Sequence, residues 1–332
     1  MIYESLIYSI SILGLAVLID LLIGEVPDKI HPVIYMGNFI SKLKNYLPAT
    51  KTSGLLIILA TNFTFSIITL ILVQYPANAS STLILLLITA YLNNWLYVII
   101  ASIILSTTFS INFLIKSVKD IQKDLNEDID KARQSMSYLV SRDTQELTES
   151  RITSAAIETL TENITDSIIS PLFYTTIISI PFGMIIAIPC AVIYRVCNTM
   201  DAMLGYKTKE LIDVGCYPAK LDDILNYIPA RIAGYYMILS AYILRYDYKQ
   251  SYHVMKEFAL KTPSPNSGYT MSAAAGALNI TLTKEGVYQL GYGTTELTSD
   301  KITESIKLTK VTSILFIVTI LLVYFIIAML LL

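Results

Sequence analysis

Three short segments of this chain concentrate carboxylates, amides and arginine beside apolar stretches: ITSAAIETLTENITDS (152–167), NTMDAMLG (198–205) and LDDILNYIPAR (221–231). As a helix, the first puts Glu158, Glu162 and Asp166 on one face at i, i+4 and i+8, where unpaired like charges oppose helix formation. Glu162 and Asp166 then stand about 6 Å apart along the axis and can share one cation; Glu158 and Asp166, about 12 Å apart, cannot. Asn163 adds a neutral oxygen. Hard oxygen donors of this kind suit Mg²⁺, which takes one or two carboxylates together with substrate phosphates. Asn198 and Asp201 share a face at i, i+3, and Asp222 and Asn226 share one at i, i+4, with Asp223 about 100° around the helix. Pro229 ends or kinks that helix, and Arg231 follows as a clamp for a phosphate or a carboxylate. The plainer reading of each motif is a set of helix caps, internal ion pairs or a solvated polar face.

Further polar groups stand outside these segments. SRDT (141–144) places Arg142 beside Asp143 in a loop, where a surface salt bridge between the neighbours is the ordinary explanation. Asp20 closes an apolar run and His31-Pro32 follows in the next loop; a lone histidine is more often structural than catalytic. SPNSG (264–268) is a turn by composition and carries Asn266. The small residues of MSAAAGALNI after it allow close helix packing or close approach of a ligand. No GxxxxGK[ST] is present, so a nucleotide site would not be a P-loop. Cys190, Cys197 and Cys216 lack metal-ligand spacing.

The elements that must hold these groups are membrane helices. Of 332 residues, 54% are hydrophobic and only 15% charged, against about a quarter charged in soluble domains. The pattern predicts an all-α, polytopic integral membrane protein, a single membrane-embedded domain over 1–332, with spans at about 5–24, 54–75, 82–105 and 311–332. Residues 168–196 are apolar but broken at Pro181-Phe182-Gly183, and each half is too short to span alone, which predicts a helical hairpin or re-entrant pair that returns to its starting side. Residues 226–246, rich in tyrosine, read as an interfacial or protein-buried helix, and 116–134 as a solvated helix and connector. The loop 25–53 carries Lys29, Lys42, Lys44 and Lys51 and the turn 76–81 no lysine or arginine, so the former is expected in the cytoplasm. Segments 106–167 and 197–310 follow it there if the hairpin crosses an even number of times. The formal charge of −2 argues against nucleic acid as a partner.

In order along the chain, DLLIGEVPDKIHPVIYMG (20–37), SRDT, AAIETLTENITDSIISPLFY (155–174), NTMDAMLGY (198–206), AKLDDILNYIPARIAG (219–234) and SPNSGYTMSAAAGAL (264–278) resemble the adenosylcobinamide-phosphate synthase family (CbiB/CobD) of cobalamin biosynthesis. The family usually has Gly at Ser141, Ala at Ser267, Trp at Tyr269 and Arg at Asn38; the last difference removes one possible phosphate contact near His31. The resemblance implies a cell-membrane ligase that joins adenosylcobyric acid to (R)-1-aminopropan-2-ol or its O-phosphate. It implies Mg²⁺, ATP as co-substrate, and no tightly bound prosthetic group. Activating a carboxylate with ATP develops charge on phosphoryl oxygens, which calls for Mg²⁺ and arginine nearby. On that basis Glu162, Asp166, Asp201 and Asp222 are expected to bind Mg²⁺–phosphate, supported by Asn163, Asn198 and Asn226. Arg142 and Arg231 would bind phosphate; Asp143, His31 and Asn266 would orient substrate, with Asp20 and Asp223 near it; Glu158 would take the amine proton. Expected partners are the corrinoid, the aminopropanol acceptor, ATP, the lipid bilayer and other late cobalamin-pathway membrane enzymes. A Mg²⁺-dependent membrane prenyltransferase and a non-enzymatic transport or assembly subunit remain as alternatives, the first because NTMD and LDDILN resemble diphosphate-binding motifs.

Overall fold

A computed structural model describes residues 2–78 and 85–331. The chain is largely helical: α1 (Ile2–Leu22), α2 (Pro32–Tyr46), α3 (Lys51–Asn78), α4 (Leu85–Ser106), α5 (Ile111–Glu127), α6 (Ile129–Ser137), α7 (Glu149–Ile164), α8 (Ser170–Phe182), α9 (Met184–Leu204), α10 (Cys216–Ile243), α11 (Tyr248–Phe258), α12 (Gly268–Ala277) and α13 (Ser299–Leu330). A small hairpin, β1 (Leu282–Lys284) and β2 (Tyr288–Leu290), interrupts the helices near the end. The far half of the expected turn at 76–81 lies outside the described residues.

Among the described residues four helical stretches are long and apolar enough to cross a membrane: Lys51–Gln74, Asn94–Glu127, Met184–Leu204 and Ser299–Leu330. The all-α, polytopic expectation therefore holds. The apolar part of α1, Leu6–Leu22, is shorter, about 25 Å as helix. The hairpin expectation needs correcting in its second limb. The chain does break at Gly183, whose φ of 73° is open to glycine at no steric cost, and Tyr174 and Tyr194 stack at 5.7 Å across the two limbs. But α9 does not stop at 196. It runs on through NTMDAML to Leu204, because Asn198 and Asp201 are accommodated within the last turns, and it is long enough to span by itself.

Internal contacts divide the chain into two compact units. The first comprises Met1–Ser110, Pro171–Leu225 and Ile320–Leu332. Its core is formed where α9 lies against α2 and α3, with Met36, Ile40, Ile57, Val196 and Met200 buried together. The second comprises Ile111–Ser170 and Asn226–Thr319. There α5 buries Ile111, Leu114, Ile115, Val118 and Ile121, one stripe at helical spacing, with its charges on the other side. α7 is sheathed by α5, α6, α12 and β1, so Ile152 to Glu158 is a continuous buried run.

Prolines shape the helices that carry the motifs. α7 passes into a π-helical turn at Thr165–Ile169 in which the Ser170 amide donates to the Thr165 carbonyl. Pro171 accounts for it: its ring lacks an N–H and crowds the carbonyl four residues back, and a wider turn relieves both faults. Pro229 does not end its helix, since α10 continues to Ile243. The Leu225 carbonyl, deprived of its amide partner by Pro229, instead accepts from the Tyr174 hydroxyl at 2.7 Å.

The small residues of α12 serve packing. A methyl group at Gly276 would lie 2.5 Å from the Gln250 carbonyl oxygen and 2.7 Å from the Ser251 Cα on α11. Ser251 donates to the Ala273 carbonyl at 2.7 Å across the same contact. Gly276→Ala is expected to destabilise the protein by about 1–3 kcal/mol through overpacking, read as a lower thermal midpoint in detergent. Gly14→Ala, which meets nothing within 4 Å, serves as the neutral control; equal midpoints for the two variants would refute the packing account.

Candidate active site

α7 starts at the Thr148 cap, whose hydroxyl accepts from the Arg151 amide, and carries Glu158 inward to 2% exposure. A carboxylate so far from water must be answered by donors. Ser154, one turn earlier, donates to Oε1 at 2.7 Å. Arg142 donates to Oε2 at 2.9 Å, and the Tyr288 hydroxyl reaches the same oxygen at 2.8 Å. The hairpin brings Tyr288 there because Lys284 and Tyr288 pair across a three-residue loop with Gly286 at φ 71°, and the Thr283 amide donates to Ser154 Oγ at 3.1 Å. Burial, and then the Glu158 charge, push the Tyr288 hydroxyl far above its ordinary value, so it remains a donor.

The neighbour salt bridge expected in SRDT does not form. Arg142 turns to Glu158, while the Asp143 carboxylate accepts from the Gln145 amide two residues on, at 3.0 Å, a local turn that holds it at the surface. Arg142 Nε is buried without a hydrogen-bond partner among the described residues. Arg142 and Asp143 line a cavity of about 530 Å³ together with Arg151, Lys284 and Glu285, and the same two residues line a second of about 410 Å³ with Arg133 and Gln145. The first cavity carries charges of both signs, and Arg151 and Glu285 pair at 3.0 Å on its exposed side.

Glu162 retains some surface accessibility yet lies deep among protein atoms. Burial raises its carboxyl above the usual range, Lys284 pulls it down, Glu158 raises it further and Arg142 lowers it. Asn163 donates back to the Thr159 carbonyl. Asp166 sits within the π turn, so the regular i, i+4 spacing expected between it and Glu162 is interrupted.

In the same unit, Arg231 is held between aromatic rings, its guanidinium carbon 3.4 Å from the centre of Tyr227 and 4.4 Å from that of Tyr269. It donates to the Tyr227 carbonyl and, at 3.2 Å, to Oδ1 of the buried Asn266. Asn226, 1% exposed, accepts from Ser170 at 2.6 Å.

The other unit holds Asp20, His31, Asn198, Asp201, Asp222 and Asp223. Asn198 donates to Asp222 Oδ1 at 3.3 Å and accepts from Arg195 at 3.4 Å. The Asp201 carboxylate lies over Gly205, where an added Cβ would stand 2.0 Å from its oxygen. His31 caps α2: its Nδ1 accepts from the Val33 amide at 3.2 Å, with Pro32 at the first helical position. Asp20 is buried at 2% exposure.

Among the described residues no three His, Cys, Asp or Glu side chains gather closely enough to hold a metal ion. A Mg²⁺ site built from one or two carboxylates and a phosphate does not require three. Ser154, Arg151, Lys284 and Tyr288 were not expected near the site. For Lys284 and Tyr288, the alternation of polar and apolar residues around Glu285-Gly286 in TLTKEGVYQL is the short signal that could have marked their hairpin.

Comparison with known proteins identifies the family. The family model described as CobD/Cbib protein matches residues 13–318. A "Probable cobalamin biosynthesis protein CobD" of Methanothermobacter thermautotrophicus is 45% identical over 307 residues, covering 92% of this chain and 95% of its relative. Proteins of the same description from Methanococcus aeolicus (41%, covering 85% of this chain and 87% of the relative) and Methanococcus vannielii (39%, covering 94% and 96%) are also similar. No solved structure shows significant similarity to the chain. With nearly its whole length matched, the chain belongs to the CobD/CbiB family.

Proposed function

We propose that this protein is a membrane-embedded ligase of cobalamin biosynthesis, joining a carboxylate of adenosylcobyric acid to (R)-1-aminopropan-2-ol or its O-phosphate with consumption of ATP. The observation that carries this reading is the buried Glu158 cluster, which fixes Arg142 on the wall of a cavity bearing both positive and negative side chains. A nucleotide polyphosphate with its counter-ion presents both signs of charge, and such a cavity matches it. In the proposed reaction the γ-phosphoryl group passes to a carboxylate oxygen, giving an acyl phosphate and ADP. The neutral amine then attacks the acyl carbon, phosphate leaves with the C–O electron pair, and the nitrogen gives up one proton to the departing phosphate.

Each residue has a proposed part. Arg142 and Lys284 stabilise charge on the transferred phosphoryl oxygens. Glu158, with both oxygens engaged, anchors Arg142 rather than taking the amine proton. Glu162 and Asp166 hold Mg²⁺: burial disfavours the Glu162 charge, and a cation relieves that penalty. When bound, Mg²⁺ supplies neutralisation of phosphate charge. Asp201 and Asp222, the latter oriented by Asn198, are further carboxylates for a cation. Arg231, its plane fixed by stacking on Tyr227 and Tyr269, presents its remaining N–H edge to the acceptor's phosphate, with Asn266 holding the guanidinium. The polar segments face the cytoplasm in this reading, where ATP is available.

Membranes containing the protein, supplied with cobyric acid, aminopropanol phosphate, ATP and Mg²⁺, are expected to yield the amide product by mass, with none when ATP is left out. Arg142→Gln should lower turnover about 10²–10³-fold, and Glu162→Gln should abolish it with the protein still in the membrane; full turnover by both variants would discard these assignments.

In the metal-free protein burial raises the Glu162 carboxyl above the ordinary glutamate range, so Mg²⁺ affinity should fall on acidification as the proton competes with the cation for this group. Lys284 is the largest charge opposing that rise, so Lys284→Gln should move the acid limb of that affinity to still higher pH. A limb that stays put or moves lower would show that Glu162 is not the group titrating.

A further inference from the structure

Away from the candidate active site, Lys119 and Lys123 of α5 and Lys307 and Lys310 of α13 line one open cavity of about 570 Å³. Gln122 and Thr303 also line it, and no residue of that lining is acidic. Gln122 Nε2 donates to the Ser299 carbonyl and to Thr303 Oγ1, each at 2.7 Å, which holds α5 against α13 and sets the width of the groove. Lys123 has an acidic neighbour, Glu127, at 3.9 Å, but both side chains are largely exposed and such a pair contributes little. Lys119, Lys307 and Lys310 make no ion pair among the described residues. The Lys119 and Lys310 side chains come within interacting distance of one another, like charges that repel unless an anion lies between them.

The depth of the groove indicates the source of that anion. The charges of α13 end at Lys310, and Val311 to Leu332 carries none. Lys307 and Lys310 therefore stand at the end of an apolar membrane stretch, where lysine ammonium groups reach the headgroup layer. We propose that this groove binds a phosphate oxyanion, supplied by the headgroup of an anionic phospholipid. Its function would be to fix the α5–α13 pair at the membrane surface, separately from the ligation chemistry.

The test uses the full-length protein in mild detergent, with native mass spectrometry to count bound lipid during titration. Phosphatidylglycerol should be retained in preference to phosphatidylcholine, and the Lys119→Gln/Lys307→Gln/Lys310→Gln variant should bind it roughly 100-fold more weakly at low salt. All three lysines are exposed, so the variant should keep the wild-type thermal midpoint. Lys249→Gln/Lys256→Gln, on α11 outside the groove, should bind as the wild type does. Equal retention by the triple variant, equal loss in the α11 control, or no preference over phosphatidylcholine would overturn the site. Displacement of phosphatidylglycerol by an equal concentration of inorganic phosphate would overturn the lipid source.

Discussion

The Glu158 carboxylate is almost wholly removed from water, and the surrounding structure must answer its charge. An ion buried without partners costs several kcal/mol, and the partners here come from three places in the chain. Ser154 belongs to the same helix, Arg142 to the SRDT loop and Tyr288 to the β-hairpin. Glu158 therefore ties a loop and a hairpin to α7, and the cavity lined by Arg142, Lys284 and Glu285 takes its shape from that tie. A single buried acid gives α7 a reason to be polar inside and gives Arg142 a fixed direction.

Along the helices that carry the polar motifs the backbone is adjusted by residues that disfavour regular helix. Pro171 opens the π turn holding Asp166, and Pro229 frees the Leu225 carbonyl that Tyr174 satisfies. Wider turns of this kind are frequent at functional sites, and here one falls within the polar segment itself. The stacking of Arg231 on two tyrosines has the same effect at side-chain level. A cation that would otherwise sample many rotamers is held in place by the two rings, ready to meet an oxyanion at lower entropic cost.

The membrane architecture was legible in the sequence because α3 and α13 have uncharged, largely apolar runs as long as a bilayer requires. The break at Gly183 was equally plain. The length of α9 was not, since Asn198 and Asp201 look like the end of an apolar stretch although the helix absorbs both. Ordered motifs pointed to the family, but single residues did not reveal their partners. Arg142 stands next to Asp143 and pairs with Glu158, sixteen positions on, because a two-residue turn turns Asp143 away. Tyr288 lies 130 positions from Glu158, on strands of three residues too short to stand out. His31 showed in sequence as an ambiguous histidine and in space as a helix cap.

The direct test of the account is a double-mutant cycle on Arg142 and Glu158, measured as affinity for Mg²⁺ with a non-hydrolysable ATP analogue. If Glu158 acts through Arg142, Arg142→Gln and Glu158→Gln will each weaken binding, and the double variant will bind no more weakly than Arg142→Gln alone. Wild-type affinity in Arg142→Gln, or losses that simply add in the double variant, would contradict it.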